Sequence, residues 1–193
     1  RAAATYARTE SLPIAVHVAE SRSESQFVAS GAGSLAHGHH RRGIATPVRA
    51  RSPVALLEQT GVLALQPLLV HCVQIDENDI AAVAAAGARV AHCPTANARL
   101  GHGIAPVTAL LGAGVVVGLG SDSMASNNRM DLLEEARIAQ LMQRVRLRSH
   151  DALDAQRLLR MATLDGARAL GLDHEVGSLE AGKSADLCAV SLT

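Results

Sequence analysis

The feature that most constrains this chain is a repeat. Short apolar runs alternate with stretches of helical character. The runs are LPIAVHVA (12–19), LLVHCV (68–73), RVAH (89–92) and VVVGL (115–119). Apolar residues at successive positions mean that both faces of each strand must be covered. Helices are predicted at 23–30, 53–59, 76–86, 105–113, 131–146 and 154–170. Their ends carry ordinary signals: Pro53 in a first turn, Asp76 as an N-cap, Gly61 and Gly87 just past C-termini. Strands of this kind alternating with helices imply an α/β fold with a parallel sheet under helices. Residues 31–53, rich in Gly, Arg and His, read as one long loop. A last strand, ADLCAVS at 185–191, falls outside the rhythm.

In parallel α/β sheets, ligands bind outside the carboxyl ends of the strands. The polar residues there are His17 and Glu20 after the first run, His71 in the second, His92 in the third and Asp122 after the fourth. A single histidine on an apolar strand is more often a satisfied core residue. Four strands in phase are hard to explain by packing, because burying polar groups costs free energy unless they are paired or metal-bound. Converging imidazole and carboxylate groups make a divalent-metal site, with zinc the expected ion and iron the alternative. Such an ion lowers the pKa of a bound water from 15.7 to about 7. Glu20, three residues after His17, is placed to shuttle protons without competing for the metal.

Composition removes other function classes. The 193 residues carry 18 basic and 18 acidic side chains and no net formal charge, so no basic face for nucleic acid or a membrane surface is expected. Tyr6 and Phe27 are the sole aromatics, which excludes a base-stacking platform and leaves a core of Ala, Leu and Val. No apolar run reaches the ~18–20 residues of a membrane span. Three cysteines without a CxxC pair give no disulfide framework, so a reducing cytoplasmic setting is expected.

The runs PIAVHVAES, LLVHCVQID, GARVAHCPTANARLGHGIAPV and AGVVVGLGSDSMASNN, in this order, resemble the amidohydrolase superfamily. Within it they are most like the branch of cytosine, guanine and S-adenosylhomocysteine deaminases and triazine chlorohydrolases. The ending MATLDGARALGL…GSLEAGKSADL fits the same branch. The resemblance implies a (β/α)8 TIM barrel and a hydrolase acting on non-peptide carbon–nitrogen bonds. The expected reaction is deamination of a small heterocyclic amine, with dechlorination or cyclic-amide hydrolysis as alternatives. By resemblance His17 and Asp122 are metal ligands. Glu20 passes protons between water and substrate, His71 polarises the attacked centre or the water, and Asp122 takes the water's proton. His92 and Asn97 line the substrate pocket.

The family's first two ligands form a His-x-His pair on barrel strand one, and no histidine precedes His17 here. The expectation is a C-terminal portion: strands five to eight and their helices over 1–176, then the start of a composite β-sandwich over 177–193. Two ligands alone should hold metal poorly, and the bare edges of a half barrel predict homo-oligomers. The His37-Gly38-His39 pair does not fill the gap, because it lies in a polar, glycine-flanked stretch. Cys72 and Cys93 read as small buried apolar residues rather than ligands.

Overall fold

The computed structural model describes residues 1–191. Four strands, β1 (Ala15–Val18), β2 (Leu68–His71), β3 (Arg89–His92) and β4 (Val117–Leu119), form one sheet in that spatial order. All three pairings are parallel. Val18 lies opposite His71, and His92 opposite Leu119, so the carboxyl ends form one row.

The helices are α1 (Ala2–Thr9), α2 (Arg22–Ser30), α3 (Ser34–His40), α4 (Pro53–Gln59), α5 (Glu77–Ala85) and α6 (Pro94–Arg99). They continue with α7 (Val107–Gly112), α8 (Met124–Asn127), α9 (Leu132–Leu147), α10 (Ala155–Ala162) and α11 (Leu164–Leu170). Asp76 and Asp79 close a capping box at the start of α5, each side chain accepting from the other's backbone N–H. The core is aliphatic, as the scarcity of aromatics requires. Leu69, Val90 and Val117 of the sheet pack with Val83, Val107, Leu110, Ala139 and Met161 of the helices. Full burial of such side chains stabilises the fold by about 1.5–3 kcal/mol each.

The structure adds helices the sequence reading did not expect, α1, α6 and α8, and corrects it in three further places. Residues 31–53 are not all loop: α3 occupies part of them, and the Phe27 ring stacks on His39 with centroids 5.3 Å apart. The helix expected over 154–170 is two helices, broken at Thr163 (φ −127°, ψ −99°). The break sets α11 against β4, where a Cβ added to Gly118 would lie 2.9 Å from Cα of Gly166. The two backbones meet there because neither residue has a side chain.

The expected strand at 185–191 is absent, and those residues are irregular. Strand β4 is contacted by α10 and α11, and no described strand pairs with the last segment. An isolated strand would leave its backbone polar groups without partners, so none forms. Among the described residues no helix is long and apolar enough to cross a membrane.

Candidate active site

The row of strand ends brings His17, His71 and Asp122 together. Each offers one ligand atom, and the three atoms lie within 4.8 Å of one another. The His17 and His71 ring centroids are 5.1 Å apart, and His17 Nε2 is 3.9 Å from Asp122 Oδ1. The set has a graded exposure: His17 is exposed, Asp122 half-buried and His71 fully buried. Among the described residues this is the sole group of three or more such side chains in metal-binding proximity.

The backbone at these positions is unusual. His71 (φ 77°), Cys72 (φ 49°) and Asp122 (φ 58°) sit in the left-handed region, which residues with a Cβ seldom occupy. Conformations of this type cost of order 1–3 kcal/mol each and cluster at functional sites. At His71 and Cys72 the strand stops and the chain turns.

Neighbouring residues fix each member. His71 Nδ1 is 2.9 Å from Asn97 Oδ1, so Nδ1 carries the hydrogen and Nε2 is left with its lone pair. That Nε2 is buried, lies 3.5 Å from Glu20 Oε1, and has no hydrogen-bond partner. A buried nitrogen lone pair aimed among His17 and Asp122 is what a bound cation requires, so the residues present fit a divalent metal. Burial lowers the His71 pKa below the ordinary histidine value, outweighing the Glu20 charge and the Asn97 contact. A neutral imidazole is the form that ligates metal. For Asp122, burial works against ionisation. The Ser126 hydroxyl at 2.7 Å, the Ser123 N–H and the two histidines overcome it and hold the carboxyl below its usual range.

Glu20 is positioned by Glu24, a residue the sequence reading passed over. The Glu24 carboxylate accepts from Ala19 N (2.9 Å) and Glu20 N (2.8 Å). Ser21 Oγ accepts from Glu24 N in turn, and α2 begins there. The signal was legible: Ser21 followed three residues later by Glu24 is a helix-start pattern. A second residue was missed. His102 presents Nε2 3.3 Å from Glu20 Oε1. It lies in a loop between Gly101 and Gly103, and no strand-end pattern points to it.

Of the two pocket residues expected, Asn97 contacts His71 as described. His92 is fully buried beside it, and neither ring nitrogen has a hydrogen-bond partner. Burial, with His71 nearby, lowers its pKa to about 3. The histidines at 37, 39 and 40 do not join the cluster: His39 stacks on Phe27, and His40 Nε2 is 2.6 Å from Thr46 Oγ1. Cys72 and Cys93 are buried, with burial pushing both thiols up to about 12, so neither offers a thiolate.

The amidohydrolase family model matches residues 1–193. The chain belongs to the amidohydrolase family. Among curated relatives, a 5-methylthioadenosine/S-adenosylhomocysteine deaminase of Pelotomaculum thermopropionicum is 44% identical over 184 residues, covering 95% of this chain and 38% of the relative. An adenosine deaminase from Xanthomonas campestris with bound zinc superposes with a TM-score of 0.78 at 34% identity, over 94% of this chain and 38% of the other. The atrazine chlorohydrolase TrzN from Arthrobacter aurescens, complexed with zinc, gives 0.74 at 30% identity, over 94% and 36%. The chain thus spans about two fifths of the length of these amidohydrolases. Its parallel α/β sheet is part of the family's barrel fold.

Proposed function

We propose that this chain carries part of the catalytic centre of a metal-dependent hydrolase that deaminates a heterocyclic amine. The substrate class that best fits its relatives is a 6-aminopurine nucleoside modified at the 5′ position. The observation that carries the reading is the convergence of His17, His71 and Asp122 within 4.8 Å, beside an acid that is not one of the three. These three residues would hold the cation, zinc in the first instance. When bound, it supplies Lewis acidity that makes water a nucleophile near neutral pH.

The residues divide the proton work. Asp122 accepts a proton from the attacking water. Glu20 takes the water's other proton to the ring nitrogen next to the attacked carbon, then receives the proton held by Asp122 and delivers it to the departing amine. His71, fixed by Asn97, presents its Nε2 lone pair to the same centre, and its part is to help hold the cation. His92 and Asn97 serve as pocket residues behind it. In balance, water adds at the ring carbon, the carbon–nitrogen bond breaks, and the products are a ring carbonyl and ammonia. The three unpaired cysteines fit a reducing cytoplasm. Homo-oligomerisation belongs to the same proposal.

The test is product analysis with 5′-methylthioadenosine, using the intact gene product loaded with zinc. Ammonia release that is lost in Glu20→Gln supports the reading. Normal turnover in that variant overturns it. The likeness to a chlorohydrolase favours one second reading. Chloride release from a chlorotriazine, with no ammonia from the nucleoside, would establish it.

A further inference from the structure

One carboxylate oxygen, Glu20 Oε1, is flanked by two imidazoles. His71 Nε2 stands 3.5 Å away and His102 Nε2 3.3 Å away. The first is a candidate cation ligand with its lone pair exposed to the cluster. The second belongs to no cluster. We propose that His102 is the positioning residue for Glu20, holding its carboxylate at the reacting centre and away from the cation. This rests on the hydrolase reading above.

Three observations carry it. The His102 backbone is pinned on both sides: its N–H donates to the Asn97 carbonyl (2.9 Å), and its carbonyl accepts from Gln74 Nε2 (2.6 Å). Gly101 (φ 68°) and Gly103 (φ 113°) supply the left-handed turns that let the loop fold back there. The imidazole is therefore fixed at its root, not draped over the surface. Second, Asn97 organises both flanks of the carboxylate. Its side chain fixes the His71 ring, and its backbone carbonyl fixes His102. Third, the two contacts differ in kind. His71 Nε2 carries a lone pair and has no hydrogen to offer Glu20. His102 lies outside the three-residue cluster, and its Nε2 is the imidazole nitrogen left to donate to Oε1.

A carboxylate beside a divalent cation tends to ligate it, and a ligated glutamate cannot relay protons. A fixed imidazole against Oε1 that is not one of the three clustered side chains opposes that collapse. Only the hydrogen-bonding function of His102 is required for this. A side chain with an N–H donor of similar reach should substitute, and an apolar one should not.

The test has two arms. In the 193-residue chain at fixed pH, the ¹⁵N resonance of His102 Nε2 should shift on Glu20→Gln, while exposed His150 stays unchanged. In the zinc-loaded intact gene product, His102→Leu should lower kcat about tenfold, the worth of one charge-assisted hydrogen bond. KM should stay within about twofold, and His102→Gln should restore most of the loss. No shift at His102 overturns the proposal whether or not deamination is observed. So does a kcat unchanged in His102→Leu, or a His102→Gln variant as impaired as the leucine one. A clear shift with no deamination of any aminopurine would support the contact and refute the reaction assigned to the site.

Discussion

Two carboxylates near the strand ends, Glu20 and Glu135, live in opposite conditions. Glu135 is buried at 1% exposure, and both of its oxygens are used: one accepts from Asn127 Nδ2 (2.6 Å), the other from Thr95 N (3.1 Å). Asn127 Nδ2 also donates to the Ser121 carbonyl. This ties the loop before Asp122 to α6, which carries Asn97. Glu20 is half-buried, and its Oε1 stands 3.3 Å from His102 Nε2 and 3.5 Å from the lone-pair nitrogen of His71. A satisfied buried acid holds a structure. The acid at the edge of the histidine–aspartate cluster, with contacts this loose, is the one we propose moves the protons. The contrast extends to Asp79, buried and saturated by Ser52, Arg51 and the capping box, against Asp122, which keeps an oxygen facing His17.

If this division is right, substitutions on the two sides should separate activity from stability. The largest effect should come from Asp122→Asn in the zinc-loaded gene product. Activity should fall about 10³-fold or more, with zinc affinity also reduced, read by steady-state kinetics and metal titration. Next, Glu135→Gln turns an acceptor into a donor facing Thr95 N–H or Asn127 Nδ2. It should destabilise by about 2–3 kcal/mol in denaturant unfolding, while Glu20→Gln changes stability by about 0.5 kcal/mol or less. Equal losses in the two variants would erase the distinction.

His92 tests the buried side by pH. Burial lowers its pKa to about 3 from 6.5, so the folded state keeps the ring neutral where the unfolded chain takes up a proton. Its contribution is fully present above pH 6.5 and is lost as pH falls toward 3, by about 1.4 kcal/mol per unit for one proton. Unfolding free energies measured from pH 7 to 4 should show this slope, and His92→Phe should reduce it by the share of one proton. The smallest effect is expected for Asn97→Ala, which removes the partner of His71 Nδ1. It should cost about 1–2 kcal/mol of stability, read in the same unfolding experiment.

The sheet and the strand-end residues were readable because two local rules suffice: runs apolar on both faces are strands, and their carboxyl ends share an edge. His17, Glu20, His71 and Asp122 all follow from that. What failed was set by tertiary contact. Pro94 marks the first turn of α6, yet it reads equally well as the stop of β3. Thr163 breaks a helix with no Gly or Pro at the break, because Gly166 must meet Gly118 on a distant strand. His102 reaches Glu20 through bonds to Asn97 and Gln74 that no local pattern encodes. The segment expected as a strand at 185–191 has the right composition but is irregular, and no described strand pairs with it.

The central claim is that the strand-end cluster is a hydrolytic centre in which Glu20 moves the protons. The most direct measurement is ammonia release from 5′-methylthioadenosine by the intact gene product and its Glu20→Gln variant, at equal zinc content. The account predicts release by the first, and a rate lower by about 10² to 10⁴ in the second, with zinc stoichiometry unchanged. Equal rates in the two proteins would contradict it.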